Sequence, residues 1–500
     1  MARRIGLGAG IAVFVAVCWL PAPDGLSPAA QRTAATTLLM AVWWLTEAVP
    51  VAVTAMVPLV VLPLVGVLPA AEIAPPYASK TNFLFLGGLI IATALERWNL
   101  HRRIALQVIV RFGSSPAGLL LGFMTATALI SAWISNSATT MMMLPIAMAV
   151  LAHYESEDAE LGAELGPILL VAIAYSATIG GIATIVGTPP NAVFVGAFAQ
   201  LFPDGPEIGF VDWMLVGVPL VLVLVPLAWL YLVRGASRLG ALSGGGNAHV
   251  VRDELDSLGA ITVPERRVLA VFVATALLWM FRRDLVLGFV TLPGWAGWLP
   301  APSMVGDSTV AIAMAVLLFV LPAGDDDDSR LLDWPTAVRL PWGVILLLGG
   351  GFALAEAIRA SGLADWIGGQ LSWVGTAPVF VSIALLCLVI SFVTEITTNT
   401  AITTIMMPIL AASAVAGNTD PLLLMVPCTM SASLCFMMPS GTAPNAIVFS
   451  GGRLTVAQMA RIGLPLNLLA VVLVTLVVYF VAIPVLGVSL AGAPAWATGG

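Results

Sequence analysis

Two short clusters of hydroxyl and amide side chains interrupt long apolar stretches, and their residue types could bind an ion or a small polar ligand. The first cluster is SAWISNSATT (131–140) and the second is TEITTNTAITT (394–404). A surface turn between two membrane spans normally contains Gly, Pro or charged residues, whereas the first cluster has only hydroxyls and one amide. Irregular backbone at membrane depth is tolerated where protein buries it, so each cluster predicts the tip of a re-entrant hairpin. The alternative is hydroxyl and amide bonding between packed helices.

Two proline motifs, GTPPN (187–191) and GTAPN (441–445), lie well inside apolar runs. A proline inside a helix removes a hydrogen bond and clashes with the preceding turn, at a cost of about 3 kcal/mol or more. Each motif therefore predicts a helix that breaks at the glycine and restarts at the prolines. Such a break frees carbonyl groups for a cation and presents amide N–H groups to an anion. A simple kink is the alternative interpretation.

The chemistry of these four elements indicates a site for an anion together with cations. Side-chain and backbone oxygens without carboxylates suit a hard monovalent cation, by extension from calcium and magnesium. The nearest basic residues along the chain are Arg111 and Arg453, both predicted in loops. Because burying an uncompensated dianion is costly and helix dipoles supply only fractional charge, we expect bound cations to neutralise the anion. This dependence gives a physical reason for coupled transport.

Other reactive residue types give weaker signals. Glu47 and Glu395 lie in apolar stretches, where an acid is a functional candidate but is also compatible with a structural carboxyl bonded to backbone. The four cysteines lack metal-ligand spacing, and no histidine lies in the middle of a span. Without a nucleophile–base pair, a cofactor loop or a basic patch, the sequence predicts neither an enzyme, nor an organic cofactor, nor a nucleic-acid partner.

The composition places these elements in a lipid bilayer. Of 500 residues, 60% are hydrophobic and 9% charged, with a formal net charge of −7, and the mean hydropathy is +1.02. We predict an all-α polytopic membrane protein with about eleven transmembrane helices, since a span needs about 20 apolar residues. The first apolar segment fits a cleaved signal peptide or a first membrane helix, and the many later spans favour the helix. Two re-entrant hairpins (116–151 and 377–415) and two broken helices (166–201 and 421–449) complete the prediction.

The two halves of the chain resemble each other. The SNS and TNT clusters are separated by 263 positions and the two proline motifs by 254. We predict a first repeat over 1–233, a cytoplasmic linker over 234–263 and a second repeat over 264–500. With the N-terminus cytoplasmic and each hairpin entering and leaving on one side, 15 of the 20 basic residues lie inside, as the positive-inside rule requires. The hairpins then enter from opposite sides, which makes the repeat inverted, as in secondary transporters.

WWLTEAVP, ERWNLHRRIAL, the SNS and TNT clusters, and GTPPNA with GTAPNA together resemble the divalent anion:sodium symporter (DASS) family, which includes the INDY-type dicarboxylate carriers. The resemblance covers nearly the whole chain. It implies a homodimer in the plasma (inner) membrane, with a scaffold domain and an elevator-type transport domain in each protomer.

The resemblance also implies a set of binding residues. Substrate-binding residues would be Asn136, Ser137, Thr188, Asn399, Thr400 and Thr442. The first sodium site would use Ser131, Ser135, Asn136 and Gly187. The second sodium site would use Thr394, Thr397, Asn399 and Gly441. The usual family cluster is SNT, and the chain departs from it at Ser137 and at Thr398, both of which keep a hydroxyl. The chain also departs at Ala443, where the family often has proline. Both departures affect substrate identity more than mechanism.

We therefore expect sodium-coupled symport of a C4-dicarboxylate such as succinate, malate or fumarate. Within the same fold, the sequence also permits sodium-independent dicarboxylate exchange, or transport of sulfate or a tricarboxylate. An anion channel is a remote alternative, because channels usually line a pore by oligomer symmetry, whereas this chain has internal inverted symmetry.

Overall fold

The structure is a computed structural model that describes residues 2–112, 115–235, 248–286, 291–324, 329–370 and 378–498. Helices dominate because lipid offers no hydrogen-bond partners, so the backbone of a span must satisfy its own N–H and C=O groups. Local capping fixes many helix starts. The Ser115 hydroxyl, for example, accepts a bond from Gly118 N, and Pro116 occupies the first turn of the following helix, where its missing N–H costs nothing.

The first half of the chain contains twelve helices in the described residues. They are α1 (Ala2–Trp19), α2 (Pro28–Thr46), α3 (Val51–Thr54), α4 (Val57–Leu64), α5 (Ala70–Ile73), α6 (Lys80–Arg97), α7 (Leu100–Arg111), α8 (Pro116–Ser131), α9 (Asn136–Glu157), α10 (Ala159–Gly181), α11 (Pro189–Leu201) and α12 (Phe210–Gly235). The N-terminal helix α1 packs against α2.

The second half begins with a helix that the sequence did not indicate. Its helices are α13 (Ala248–Ser257), α14 (Val263–Met280), α15 (Asp307–Val320), α16 (Trp334–Ala337), α17 (Trp342–Ala360), α18 (Leu363–Gln370), α19 (Val379–Val393), α20 (Asn399–Ala416), α21 (Leu422–Ser433), α22 (Ala443–Ser450), α23 (Val456–Val477), α24 (Ile483–Leu486) and α25 (Ala495–Thr498). A short π-helical segment, Val478–Ala482, joins α23 to α24. The strands β1 (Leu285–Val286) and β2 (Thr291–Leu292) pair antiparallel.

The fold class predicted from the sequence is confirmed. Seven helical segments in the described ranges are long and apolar enough to cross a membrane. The first arms of the two predicted hairpins, α8 and α19, are shorter, with 16 and 15 residues. Several predicted spans are interrupted, as where the apolar stretch 52–69 divides into α3 and α4.

The helices of the two hairpins and the two broken helices pack in a pattern that repeats between the halves. In the first half α10 packs against both α8 and α9, and in the second half α21 packs against both α19 and α20. The contacts between the halves repeat as well, because α11 packs against α20 while α22 packs against α9. Each hairpin is therefore supported by the broken helix of its own half and by the restarted helix of the other half.

The segment predicted as a linker, 234–263, is only partly irregular. Residues 236–247 lie outside the described residues, but 248–257 form α13, which packs against α7. Ion pairs from α7 fasten this region, with Arg102 on Glu254 and Arg103 Nε 2.8 Å from Glu265 Oε1. The Arg103–Glu265 pair is buried, and Arg103 also donates to the carbonyls of Leu258 and Gly259.

Candidate functional site

The first hairpin tip joins α8 to α9 through a hydrogen-bonded pair of polar side chains. Ser131 is the last residue of α8, and its Oγ lies 2.7 Å from both Asn136 Oδ1 and the Ala177 carbonyl oxygen, which are the two acceptors available to its single proton. Ser135 is the N-cap of α9, and its hydroxyl accepts from Ala138 N. The bond to Ala177 fastens the tip to α10, so three predicted residues of the first sodium site lie together.

The second hairpin tip repeats this arrangement at equivalent positions. Thr394 Oγ1 lies 2.8 Å from both the inner amide atom of Asn399 and the Ala432 carbonyl oxygen. Thr398 is the N-cap of α20, and its hydroxyl accepts from Ala401 N. The tip therefore has the same chemistry in both repeats, although serine is replaced by threonine.

Both proline motifs break their helices, as predicted. The first break separates α10 from α11, and the second separates α21 from α22. Asn191, the last residue of the first motif, donates from Nδ2 to the carbonyls of Gly181 at 3.0 Å and Thr184 at 2.7 Å. These bonds tie the new helix to the end of the old one, so the break is fixed and not a simple kink.

Asn445 occupies the equivalent place in the second break. Its Nδ2 donates to the carbonyls of Cys435 at 3.2 Å and Met438 at 3.0 Å. Sequence reasoning did not assign a role to either asparagine. The signal was present in the chain, because Asn191 and Asn445 share the 254-position offset of the motifs that contain them.

Gly187 and Gly441 let the breaks approach the hairpin tips closely. A Cβ added at Gly187 would lie 2.5 Å from the Gly181 carbonyl oxygen and 3.0 Å from that of Ala132. At Gly441 it would lie 2.0 Å from Cys435 Sγ and 3.2 Å from the Glu395 carbonyl oxygen. Because a side chain would fill the narrow space between tip and break, glycine suits both positions.

Oxygen atoms converge in the second half-site, and this convergence suits a cation. The Asn399 amide can occupy its pocket in two orientations, and without an ion only the one with nitrogen innermost satisfies the surrounding hydrogen bonds. With nitrogen innermost, it donates to the carbonyls of Gly441 at 3.1 Å and Ala432 at 3.2 Å and contacts Thr394 Oγ1 at 2.8 Å. With Oδ1 innermost, four oxygens crowd together, which a positive ion between them would stabilise. Three of the predicted ligands of the second sodium site thus meet at one point.

The fourth predicted ligand of this site has a free hydroxyl. Thr397 is buried, and its Oγ1 has no hydrogen-bond partner among the described residues. A buried unsatisfied hydroxyl is costly, and coordination of a cation would satisfy its lone pairs. The residues present therefore fit the bound sodium ion that the sequence predicted.

The predicted anion-binding residues lie at the starts of four helices. Ser137 and Thr400 are the second residues of α9 and α20, beside Asn136 and Asn399. The N-cap residues of α11 and α22 are Thr188 and Thr442, and neither hydroxyl caps its helix. Since first-turn N–H groups and uncommitted hydroxyls favour negative charge, these positions suit carboxylate oxygens.

A cavity of about 390 Å³ reaches the first hairpin tip and brings basic side chains near it. It is lined by Ser135 and Ala138 of α9, by Glu96 and Arg97 of α6, and by Arg339. No basic residue lies near the tips along the chain, but the tertiary fold brings two, Arg97 and Arg339, to the cavity at the first tip.

An ion pair stands beside this cavity. Arg97 Nη2 lies 2.6 Å from Asp333 Oδ2. Bonds from the Thr336 hydroxyl and amide, together with Arg97, lower the pKa of Asp333. The Asp333 carboxylate, like any ionised aspartate, partly neutralises the charge of Arg97.

The two acids in apolar stretches have different surroundings. Glu47 ends α2 in a left-handed conformation, is largely exposed, and pairs with Arg3 at 3.5 Å. Glu395 is buried within the second tip and bonds to backbone amides. Both therefore have partners that the sequence alone did not reveal.

Comparison with known proteins agrees with this architecture. The chain belongs to the family described as the sodium:sulfate symporter transmembrane region, whose model matches residues 2–487. This match confirms the divalent anion:sodium symporter assignment and shows that the protein is an integral membrane protein of a transporter family.

Two individual relatives and one solved structure show the similarity in more detail. The chain is 42% identical over 493 residues to the sodium-dependent dicarboxylate transporter SdcS of Staphylococcus saprophyticus, covering 97% of this chain and 92% of that protein. It is 41% identical over 495 residues to SdcS of Staphylococcus aureus, covering 98% and 93%. Among solved structures, the YdaH transporter of Alcanivorax borkumensis matches with a TM-score of 0.58 at 14% identity, over 90% of this chain and 98% of that one. This last likeness concerns the fold alone.

Proposed function

We propose that this protein is a sodium-coupled symporter of C4-dicarboxylates such as succinate, malate and fumarate. The observation that carries the proposal is the duplicated half-site, in which Ser131 with Asn136 and Thr394 with Asn399 each face a broken helix. Family membership and the sodium-dependent dicarboxylate transporters at 41–42% identity support both the ion and the substrate class.

Charge balance explains why sodium would be required. None of the predicted substrate residues accepts a hydrogen bond from Lys or Arg within the described ranges, and the tip hydroxyls and amides are neutral. Two arginines, Arg97 and Arg339, line the cavity at the first tip, but Arg97 is paired with Asp333 and Glu96 lines the same cavity. A dianion placed between the tips and breaks therefore depends mainly on helix N-termini, and each supplies only about half a charge. Two bound sodium ions beside Asn136 and Asn399 would neutralise the dianion, so anion affinity depends on cation occupancy.

Sulfate is the second candidate substrate, because the matching family is described by sodium:sulfate symport. Like a C4-dicarboxylate it is a dianion, and the same hydroxyl and N–H groups would bind its oxygens. The two differ in length, since a dicarboxylate can bridge the first and second half-sites with separate carboxylates. The named relatives favour the dicarboxylate.

Reconstitution into liposomes tests the proposal. Uptake of radiolabelled succinate should require an inward sodium gradient, should stop when choline replaces sodium, and should be inhibited by malate and fumarate more than by sulfate or citrate. Uptake that is unchanged in choline would instead establish sodium-independent exchange. Electrical currents far larger than carrier turnover could produce would establish a channel.

The assembly and orientation are also part of the proposal. The family resemblance supports a homodimer with an elevator-type transport domain, and the distribution of basic residues supports a plasma-membrane location with a cytoplasmic N-terminus. The repeated hairpin and broken-helix contacts are consistent with the expected transport domain. Mass measurement of the detergent-solubilised protein tests the dimer, and cysteine labelling from each side of the membrane tests the orientation.

A further inference from the structure

The Glu395 carboxylate replaces the helical hydrogen bonds of the second break. Its Oε1 accepts from Phe436 N at 2.9 Å and Met437 N at 3.0 Å, and its Oε2 accepts from Met438 N at 2.8 Å. Three successive amides of the loop that follows α21 thus point at one side chain from the hairpin tip. Glu395 is only 3% exposed, so these bonds form away from water.

Two further side chains complete the surroundings of this carboxylate. Asn467 of α23 donates from Nδ2 to Oε1 at 2.6 Å, and the Cys435 thiol lies 2.9 Å from Oε2. Every one of these partners is a donor, and none is a Lys or Arg within the described chain. A carboxylate that only accepts bonds is matched to its ionised form, so the geometry favours a buried negative charge.

The first break has no counterpart to this charge. Ala132 occupies the position equivalent to Glu395, 263 residues earlier. The amides of Ile182 and Ala183, equivalent to those of Phe436 and Met437, bond instead to the carbonyls of Ile179 and Gly180 in ordinary turns. Trp213 takes the place of Asn467 and donates to the Ile182 carbonyl at 2.8 Å.

The amides that Glu395 binds belong to the loop that faces the second half-site. Asn445 holds the Cys435 and Met438 carbonyls of this loop while Glu395 holds its amides, so its peptide planes are fixed from two sides. The Cα of Glu395 lies 3.3 Å from the position of a Cβ on Gly441. The carboxylate therefore acts on the loop and the tip that contribute Gly441 and Asn399.

We propose that Glu395 is a positioning residue that sets the sodium affinity of the second half-site. It holds the loop from Cys435 to Met438 open and adds a buried negative charge beside the cation ligands, which strengthens cation binding in a low-dielectric site. The first half-site has Ala132 at the equivalent position, lacks this negative charge and binds its sodium more weakly. This inference rests on the proposed sodium-coupled function.

The decisive variant is Glu395→Gln, which keeps the side-chain shape but removes the charge and places an NH₂ among N–H donors. We expect the sodium concentration for half-maximal succinate uptake to rise by about tenfold or more, the effect of losing one charge-assisted interaction. At saturating sodium, the succinate concentration for half-maximal uptake should stay within about twofold of wild type. A purely structural role would lower the amount of active protein and would leave the half-maximal concentrations of both sodium and succinate unchanged.

Two further variants keep the test interpretable. Asn467→Ala removes one donor from the carboxylate and leaves its charge, so it should raise the half-maximal sodium concentration in the same direction by a smaller factor. Asp420→Asn is the matched control, because Asp420 is also a buried carboxylate that accepts backbone bonds, from Leu422 N and Ser489 N, outside both half-sites. Its sodium dependence should equal that of wild type.

The outcomes separate this inference from the proposed function. Wild-type uptake without sodium dependence would overturn both. Sodium-dependent wild-type uptake with an unshifted Glu395→Gln variant, or an equal shift in Asp420→Asn, would overturn only the role of Glu395. If Glu395→Gln does not fold, Asn467→Ala decides, and an unshifted sodium dependence there contradicts the proposal.

Discussion

The two half-sites share their hairpin tips but differ in how their broken helices are held. At the tips, a hydroxyl binds an asparagine amide and a carbonyl of the neighbouring helix in both repeats. At the breaks, the first repeat keeps ordinary turns, whereas the second repeat gives its amides to the Glu395 carboxylate. A duplicated fold can thus preserve the ligand chemistry while the support diverges.

This difference indicates that the two repeats join tip to break by interactions of different strength. Thr184 Oγ1 in the first break donates to the Ala132 carbonyl, so that tip and break are joined by a neutral bond. In the second, tip and break are joined by a buried charge. Buried charge interactions are stronger and less tolerant of substitution than neutral bonds. We therefore expect the second half-site to bind sodium more tightly than the first and to tolerate substitution less.

The largest effects should come from Asn136→Ala and Asn399→Ala, which test what the two tips share. In the proposed function, each asparagine contacts both a sodium ion and a substrate carboxylate. We expect each change to reduce sodium-driven succinate uptake in proteoliposomes by about 100-fold or more, since the loss of two interactions with charged groups exceeds about 2.7 kcal/mol.

Folding must be monitored in the same experiment. Both variants should elute as monodisperse protein and melt within a few degrees of wild type, because the amides are only half-buried. Wild-type uptake by either variant would remove that residue from the binding site and break the equivalence of the tips.

Gly187→Ala and Gly441→Ala test how the breaks approach the tips. At Gly187 the new methyl meets backbone oxygens, whereas at Gly441 its closest neighbour is the Cys435 side chain. Overpacking costs about 1–3 kcal/mol, or roughly tenfold in affinity, and backbone cannot rotate away as a thiol can. We therefore expect Gly187→Ala to lose at least about tenfold in uptake and Gly441→Ala to lose less.

A second substitution sharpens this contrast. Cys435 stands where the first repeat has Gly181, so Cys435→Gly reproduces the first repeat and removes the clashing sulfur. The double variant Gly441→Ala/Cys435→Gly should recover uptake relative to Gly441→Ala alone. Lack of recovery would mean that the Glu395 backbone, not Cys435, limits the space at Gly441.

Much of this architecture could be predicted from the sequence because its signals are local. Prolines inside apolar runs predict breaks, and clusters of hydroxyl and amide side chains inside apolar stretches predict buried tips, whatever the rest of the chain does. The repeat offset then pairs Asn136 with Asn399 on the basis of the chain alone. These elements are predictable because the composition of a few neighbouring residues determines the backbone there.

The features that sequence reasoning missed depend on distant contacts. Glu395 accepts a hydrogen bond from Asn467, which is 72 positions away. Arg339 and Ser135 are distant in the sequence but line the same cavity beside α6. Helix α13 is polar and lies in a segment predicted as a linker, yet an ion pair between Arg102 of α7 and Glu254 holds it in place. Tertiary partners of this kind leave no periodicity or motif in the chain.

The smallest effect concerns the asparagines that fasten the breaks. Asn191 donates at 3.0 and 2.7 Å, while Asn445 donates at 3.2 and 3.0 Å, and Glu395 restrains the loop that Asn445 holds. Replacing either by alanine leaves buried carbonyls unsatisfied, at a cost of about 1–3 kcal/mol. Asn191→Ala should lie near the upper end of that range and Asn445→Ala near the lower end, measured by denaturation of the purified protein in detergent. Equal losses would mean that the carboxylate adds no stability to the second break, and Glu395→Gln/Asn445→Ala would then show no coupling beyond the sum of the single variants.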